Sequence, residues 1–184
     1  AIASGLRADD FELLRVNDNA LGVTVLRAPV RSVSTARGEF QVMDFSALRE
    51  PGRYVLRVGS ETTRPFRIDR DVWTETIWKT LNFFYGNRCG FAVPGSHGID
   101  HLDWFAEHDG ERITMSGGWH DAGDLSQGVI NTGEATYAMF ALAERLMERG
   151  GDVELVERLL EEARWGLDWV LRVRFDGGHR VAFG

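Results

Sequence analysis

Cysteine is nearly absent: Cys89 is the only one in 184 residues, which excludes an internal disulfide framework. No apolar run approaches the roughly 20 residues needed to span a bilayer. No long block carries one sign, and the formal net charge is -7. That balance argues against nucleic acid and against an anionic membrane surface as partners. A neutral polysaccharide stays open. There is no repeat at fixed period, no low-complexity tract, no secretory leader and no initiator Met. The start, Ala1-Ile2-Ala3-Ser4-Gly5, reads as a processed or truncated end, and Val181-Ala182-Phe183-Gly184 stops after an apolar run. A fragment at both ends is expected. The sequence carries no signal of oligomeric state.

What is present is ordinary for a globular protein: 43% hydrophobic and 27% charged residues, in a length that fits one medium domain or two small ones. Six Trp, three Tyr and eleven Phe suit stacking on sugar faces, but they suit core packing equally. Residues 1–69 read as strands. Leu21, Val23 and Val25 alternate with small or polar residues, as do Tyr54, Leu56 and Val58 after the turn pair Pro51-Gly52. Pro65 places Phe66 and Ile68 on an edge strand. Five or six short strands point to a small sandwich. From Asp69-Arg70-Asp71 the period becomes helical. Trp73, Ile77, Leu81 and Phe84 form a first stripe, with Trp73 and Trp78 expected in the core. A second helix runs through Tyr137, Phe140 and Leu142 and ends at Gly150-Gly151. Asp152 caps a third, whose stripe is Val153, Val156, Leu160, Ala163, Leu167 and Val170, with Trp165 and Trp169 packing inward. The charges at Glu161-Glu162-Ala163-Arg164 read as a solvated face.

The most informative segment is Gly117-Gly118-Trp119-His120-Asp121-Ala122-Gly123-Asp124. Two carboxylates three positions apart point the same way on a helical turn, and Gly123 permits backbone conformations closed to other residues. Carboxylates facing one site suit activation of a water molecule. A bare D-x-G-D would be read more simply as an Asp-capped glycine loop.

The full octet resembles the signature of glycoside hydrolase family 9, which includes many bacterial endoglucanases. Phe83-Phe84-Tyr85-Gly86-Asn87-Arg88-Cys89-Gly90 is similar to that family's FYxxRCG segment, and the His-bearing stretch Ser96-His97-Gly98-Ile99-Asp100-His101 lies between the two motifs. The β-rich region ending in Pro51-Gly52-Arg53-Tyr54-Val55-Leu56 resembles the immunoglobulin-like domain preceding the catalytic barrel in one branch. The resemblance implies an immunoglobulin-like β-sandwich over 1–69, lacking its first strand. The opening helices of an (α/α)₆ barrel would follow over 70–184, too few to close it. It also implies inverting hydrolysis of a β-linked glucan or related oligosaccharide. Asp124 is then the principal base and Asp121 helps hold the water. Both stand on the water side, so neither is the acid, which in this family is a downstream Glu with no counterpart here. This segment alone is therefore expected to be catalytically incomplete.

The resemblance implies a metal site too. Some members hold a structural zinc with two Cys and two His, and the matching positions here are Cys89, Asp100, His101 and His120. Asp100 replaces the second Cys. Carboxylate is an acceptable zinc ligand, the loss of the site is the alternative, and His97 is a substitute if Asp100 points away. Four protein ligands leave no open position, so the role would be structural. A buried thiol with hydrogen-bonded loop histidines is the reading without metal. Trp104 is the candidate sugar-subsite contact. Phe105 and Trp119 could line the site or simply pack. Leu125-Ser126-Gln127 departs from the Tyr-(Gly/Ser)-Lys-(Tyr/Phe) run of cellulose-active members. This leaves open an exo-acting, glucosaminidase-type member. Two rivals stand outside the glycosidase reading: a non-catalytic carbohydrate-binding or structural module, and a metal-dependent hydrolase. The resemblance implies a secreted or periplasmic bacterial enzyme with no organic cofactor.

Overall fold

The computed structural model describes residues 1–17, 20–121, 125–176 and 178, with only the backbone of Ala20 and Leu21. Contacts divide the chain into two units, Ala1–Thr74 and Glu75–Gly184.

The first unit is all β. Its strands are β1 (Ile2–Ala3), β2 (Asp10–Asn17), β3 (Ala20–Pro29), β4 (Arg31–Thr35), β5 (Gly38–Val42), β6 (Gly52–Val58), β7 (Glu61–Thr62) and β8 (Phe66–Ile68). They form a three-stranded sheet, β1-β5-β4, and a larger one, β3-β2-β6-β7, in which β8 also pairs with β6. Every pairing is antiparallel. The sequence reading undercounts strands because β1 and β7 are two residues long, too short for alternation to register.

The core between the sheets joins Phe11 and Leu13 of β2, Met43, and Tyr54, Leu56 and Val58 of β6. Each such side chain contributes roughly 1.5–3 kcal/mol by leaving water. The Tyr54 hydroxyl donates to the Glu50 carbonyl at 2.9 Å, across the Pro51-Gly52 turn. A tyrosine near a strand start that bonds back upstream is a hallmark of immunoglobulin-like sandwiches. Val23 and Val25, whose alternation marked β3, face outward, and Leu26 and Ala28 pack on the core instead. Successive side chains of a strand point to opposite faces, so with Leu26 on the core the neighbouring Val25 faces away.

The second unit holds α1 (Thr74–Gly86), a hairpin of β9 (Phe105–His108) and β10 (Glu111–Thr114), α2 (Val129–Glu148) and α3 (Val153–Arg172). In α1, Leu81 is buried, with Ile77, Trp78 and Phe84 packed on the same core. Trp73 contradicts its expected burial and is 67% exposed. It precedes the first helical residue, so the helix does not carry it onto the stripe. The hairpin, not foreseen, turns at Asp109-Gly110 with φ of 49° and 82°, as a two-residue primed turn requires.

The α2–α3 junction follows the sequence closely. Gly151 N–H bonds to the Leu146 carbonyl and Gly150 N–H to that of Met147, the Schellman pattern. Asp152 accepts from the N–H groups of Glu154 and Leu155, capping α3. The buried face of α3 is rotated from the expected stripe. It comprises Leu155, Val156, Leu159, Glu162, Ala163, Gly166 and Trp169, whereas Val153 is exposed. Gly166 permits the close packing of this face: a Cβ there would lie 2.3 Å from both Thr136 Oγ1 and the Trp119 ring.

Candidate functional site

The two motifs are paired by backbone. Arg88 and Trp119 form an antiparallel bridge. Cys89 N–H donates to the Gly118 carbonyl at 3.0 Å and His120 N–H to that of Asn87 at 2.9 Å. The described part of the octet, residues 117–121, is thus bonded through its peptide groups to the other motif, and the turn expected between Asp121 and Asp124 lies outside the described residues. Gly118 has φ of 66°, and a Cβ on it would lie 2.8 Å from the Trp169 ring. Both facts call for glycine. Trp165 Nε1 donates to the Gly118 carbonyl and Trp169 Nε1 to that of Met115, each at 2.8 Å, so α3 clamps the approach to the octet.

Behind this loop lies a buried ion pair that contradicts the solvated reading of Glu162. The residue is fully buried. Its carboxylate accepts from Arg88 Nη2 at 2.8 Å, Arg88 Nε at 3.1 Å and Trp119 Nε1 at 2.8 Å. The Arg88 guanidinium also lies against the rings of Tyr85, Phe91 and Trp165. A charge among apolar neighbours misleads a reading by periodicity. The available clue was Arg88, adjacent to Cys89 in the first motif. Glu161 remains on the exposed side.

The four expected metal ligands converge. One donor atom each from Cys89, Asp100, His101 and His120 lies within 4.8 Å of every other. Cys89 Sγ is 3.3 Å from His101 Nδ1. Asp100 Oδ1 accepts from Gly90 N–H at 2.7 Å, which turns Oδ2 to within 3.1 Å of His120 Nε2. That last pair is close, yet Nε2 has no hydrogen-bond partner, so the atoms approach without the alignment of a hydrogen bond. Donors at metal-bond lengths of 2.0–2.3 Å stand about 3.3–3.8 Å apart at a tetrahedral angle. The donor set and the orphaned His120 nitrogen fit a divalent ion. Burial lowers the His120 pKa, favouring the neutral imidazole that ligates, although Asp100 opposes the shift. Burial pushes the Cys89 thiol up to about 11, so an ion there would displace a proton. His101 takes the left-handed backbone, φ 48°. His97 stays outside the four; its Nδ1 is 2.7 Å from the Gly98 carbonyl.

Asp121 is exposed. Its N–H donates to the Ser126 carbonyl at 2.6 Å, and its Oδ1 accepts from Asn131 Nδ2 at 3.1 Å. It lines a cleft with Phe83, Phe84, Trp119, His120 and Asn131. Asp124 lies outside the described residues. Trp119 is buried and packs, its ring centroid 5.0 Å from that of Phe84. Trp104 is half-buried, packs against His101 with ring centroids 4.6 Å apart and planes tilted by 60°, and lines a second cleft with Asp103, Leu125 and Ser126. Phe105 is 43% exposed on β9. In the departing run, Gln127 is buried and donates to the Gly117 carbonyl. Sequence reading missed the roles of Gln127 and Asn131, which carry no local signal.

Residues 73–183 match the profile of glycosyl hydrolase family 9. The chain belongs to this family. It is 30% identical over 172 residues to endoglucanase C of Cellulomonas fimi, a match covering 71% of this chain and 15% of that protein. It is 30% identical over 164 residues to endoglucanase D of Acetivibrio thermocellus, covering 77% of this chain and 26% of that protein. The crystal structure of a Zn-binding triple mutant of the family 9 endoglucanase J30 matches with a TM-score of 0.72 and 28% identity, across 100% of this chain and 39% of that one. The family 9 chain thus spans well under half the length of these relatives. Among the described residues, no helix is long and apolar enough to cross a membrane.

Proposed function

We propose that this chain supplies the water-activating part of an inverting glycoside hydrolase acting on β-linked glucan or a related oligosaccharide. Residues 1–69 are the immunoglobulin-like unit and 70–184 the start of the (α/α)₆ domain. Asp124 takes a proton from water while Asp121 holds that water. The water oxygen attacks the anomeric carbon, and the glycosidic C–O bond breaks. A carboxylic acid from polypeptide outside this chain protonates the leaving oxygen, so the chain alone is inactive. In such enzymes the two carboxyl groups stand roughly 6.5–9.5 Å apart to admit the water.

The observation that carries this reading is the family octet, with Asp121 on a cleft walled by Phe83 and Phe84. Aromatic surface beside a carboxylate suits a sugar. Trp104 is the further subsite contact. Cys89, Asp100, His101 and His120 would hold one structural zinc, supplying a cross-link between the two motifs and no chemistry on substrate. Its ligands flank Asp121 through His120, so it would fix the loop. The enzyme works outside the cytoplasm, in the periplasm or beyond the cell, where a polymeric substrate lies.

The Leu125-Ser126-Gln127 run favours a second sugar class, since Gln127 is spent internally on Gly117. An exo-acting member cleaving glucosamine-containing oligomers is the alternative. The test is the anomer first released by the intact natural polypeptide from cello-oligosaccharides and glucosamine oligomers, followed by NMR. Inversion from a β-linkage gives the α-anomer. Release of the β-anomer contradicts single displacement, and binding without turnover supports a carbohydrate-binding module.

A further inference from the structure

The contact between Asn131 and Asp121 joins a rigid helix to the candidate catalytic loop. Asn131 is the third residue of α2, after the N-cap Gly128. At that position a polar side chain commonly reaches back to cap the helix. Here it instead reaches Asp121, ten positions earlier, with Nδ2 3.1 Å from Oδ1. Only the amide NH₂ can face a carboxylate, so Nδ2 is the donor. Gly128 makes the placement available: a Cβ there would lie 3.3 Å from the Asn131 Cγ and Nδ2. The amide is thus laid against the glycine and pointed at the octet. Asp121 is held from its other side by its own N–H to the Ser126 carbonyl. Both residues line the same cleft.

We propose that Asn131 is a positioning residue: it occupies Oδ1 of Asp121 and leaves Oδ2 as the oxygen that faces the reacting water. This rests on the glycosidase reading above. An exposed hydrogen bond contributes little to stability, whereas orientation of a reacting group governs rate steeply. The effect therefore belongs in turnover and not in folding.

Two substitutions separate this role from a structural one. Asn131→Ala removes the donor. Asn131→Asp keeps the shape and adds a negative charge in the first turn of α2, which suits the helix dipole but opposes the Asp121 carboxylate. A structural role predicts that any loss in kcat comes with a matching fall in thermal midpoint. The positioning role predicts a loss in kcat without one, larger for Asp than for Ala. The experiment measures kcat, KM and the thermal midpoint of the intact natural polypeptide on a soluble β-glucan or the sugar it cleaves. Expected are a loss in kcat of about tenfold for Asn131→Ala, a larger loss for Asn131→Asp, KM within about twofold, and an unchanged midpoint. Unchanged kcat in both variants, or Asn131→Asp outperforming Asn131→Ala, overturns the proposal and leaves the glycosidase reading intact. Absence of turnover by the unsubstituted polypeptide overturns both.

Discussion

Trp119 donates its indole N–H to the Glu162 carboxylate at 2.8 Å, so a residue inside the octet is tied to a fully buried acid on α3. The same carboxylate neutralises Arg88 of the first motif. Three segments distant in sequence therefore share one charge centre. Removing one member of a buried pair leaves the other uncompensated, at a cost of about 3–5 kcal/mol. Glu162→Ala is expected to destabilise the helical unit by that amount in denaturant unfolding. Arg88→Met combined with Glu162→Leu should recover much of the loss, because no buried charge remains. A loss under about 1 kcal/mol for Glu162→Ala would show that the pair is dispensable.

Two glycine substitutions should part ways. Gly118→Ala must hold a left-handed backbone, roughly 1–2 kcal/mol, and place a methyl 2.8 Å from Trp169, roughly 1–3 kcal/mol more. Gly133→Ala lies within α2, with nothing within 4 Å of the added carbon. It should be neutral or stabilising by about 0.5–1 kcal/mol. Equal thermal midpoints for the two variants would contradict the packing described for the octet loop.

Zinc should stabilise the helical unit. A ligand at 100 times its Kd adds about 2.7 kcal/mol, visible as a rise in thermal midpoint that a chelator reverses. Cys89→Ser and Asp100→Asn should each abolish most of the rise. Asp100→Asn keeps an acceptor for Gly90 N–H, so its loss of the zinc effect would trace to Oδ2. A zinc-independent midpoint in the unsubstituted chain would count against the site.

Acid should weaken the β unit through Glu12. The hydrogen bond from Arg57 holds this carboxyl below its ordinary value of 4.5. A depressed folded-state pKa adds stability that is fully present above the unfolded value and disappears as pH falls through the folded one. Unfolding midpoints are therefore expected to drop as pH falls below about 4.5, with a shallower drop in Glu12→Gln. Identical pH profiles for the two proteins would exclude the Glu12–Arg57 pair as a source.

Much of this was legible in sequence because local chemistry and tertiary structure agree. Asp152 caps α3, Gly150-Gly151 ends α2, and Tyr54, Leu56 and Val58 face a core. The four donors at 89, 100, 101 and 120 meet in space as the family resemblance implied. What escaped was non-local. Glu162 reads as surface until Arg88 is brought beside it, 74 positions away in sequence. Val23 and Val25 keep their alternation, but the core meets Leu26 and Ala28, at the opposite parity, and leaves both valines exposed. The octet gives no hint in sequence that its peptides at Gly118 and His120 pair with residues 87–89. Asn131 carries no motif, and its interest arises from Gly128 and Asp121 alone.

The central claim is that the octet carries the base of a glycosidase. The most direct test is hydrolysis of β-glucans, cello-oligosaccharides and glucosamine oligomers by the intact natural polypeptide, with Asp124→Ala as its partner. Turnover that vanishes in a folded Asp124→Ala variant is the predicted result, and the substrate cleaved identifies the sugar. Turnover that persists in that variant would remove Asp124 from the mechanism. Absence of turnover on every substrate, from a folded protein, would place the chain with non-catalytic modules that keep the octet for its fold.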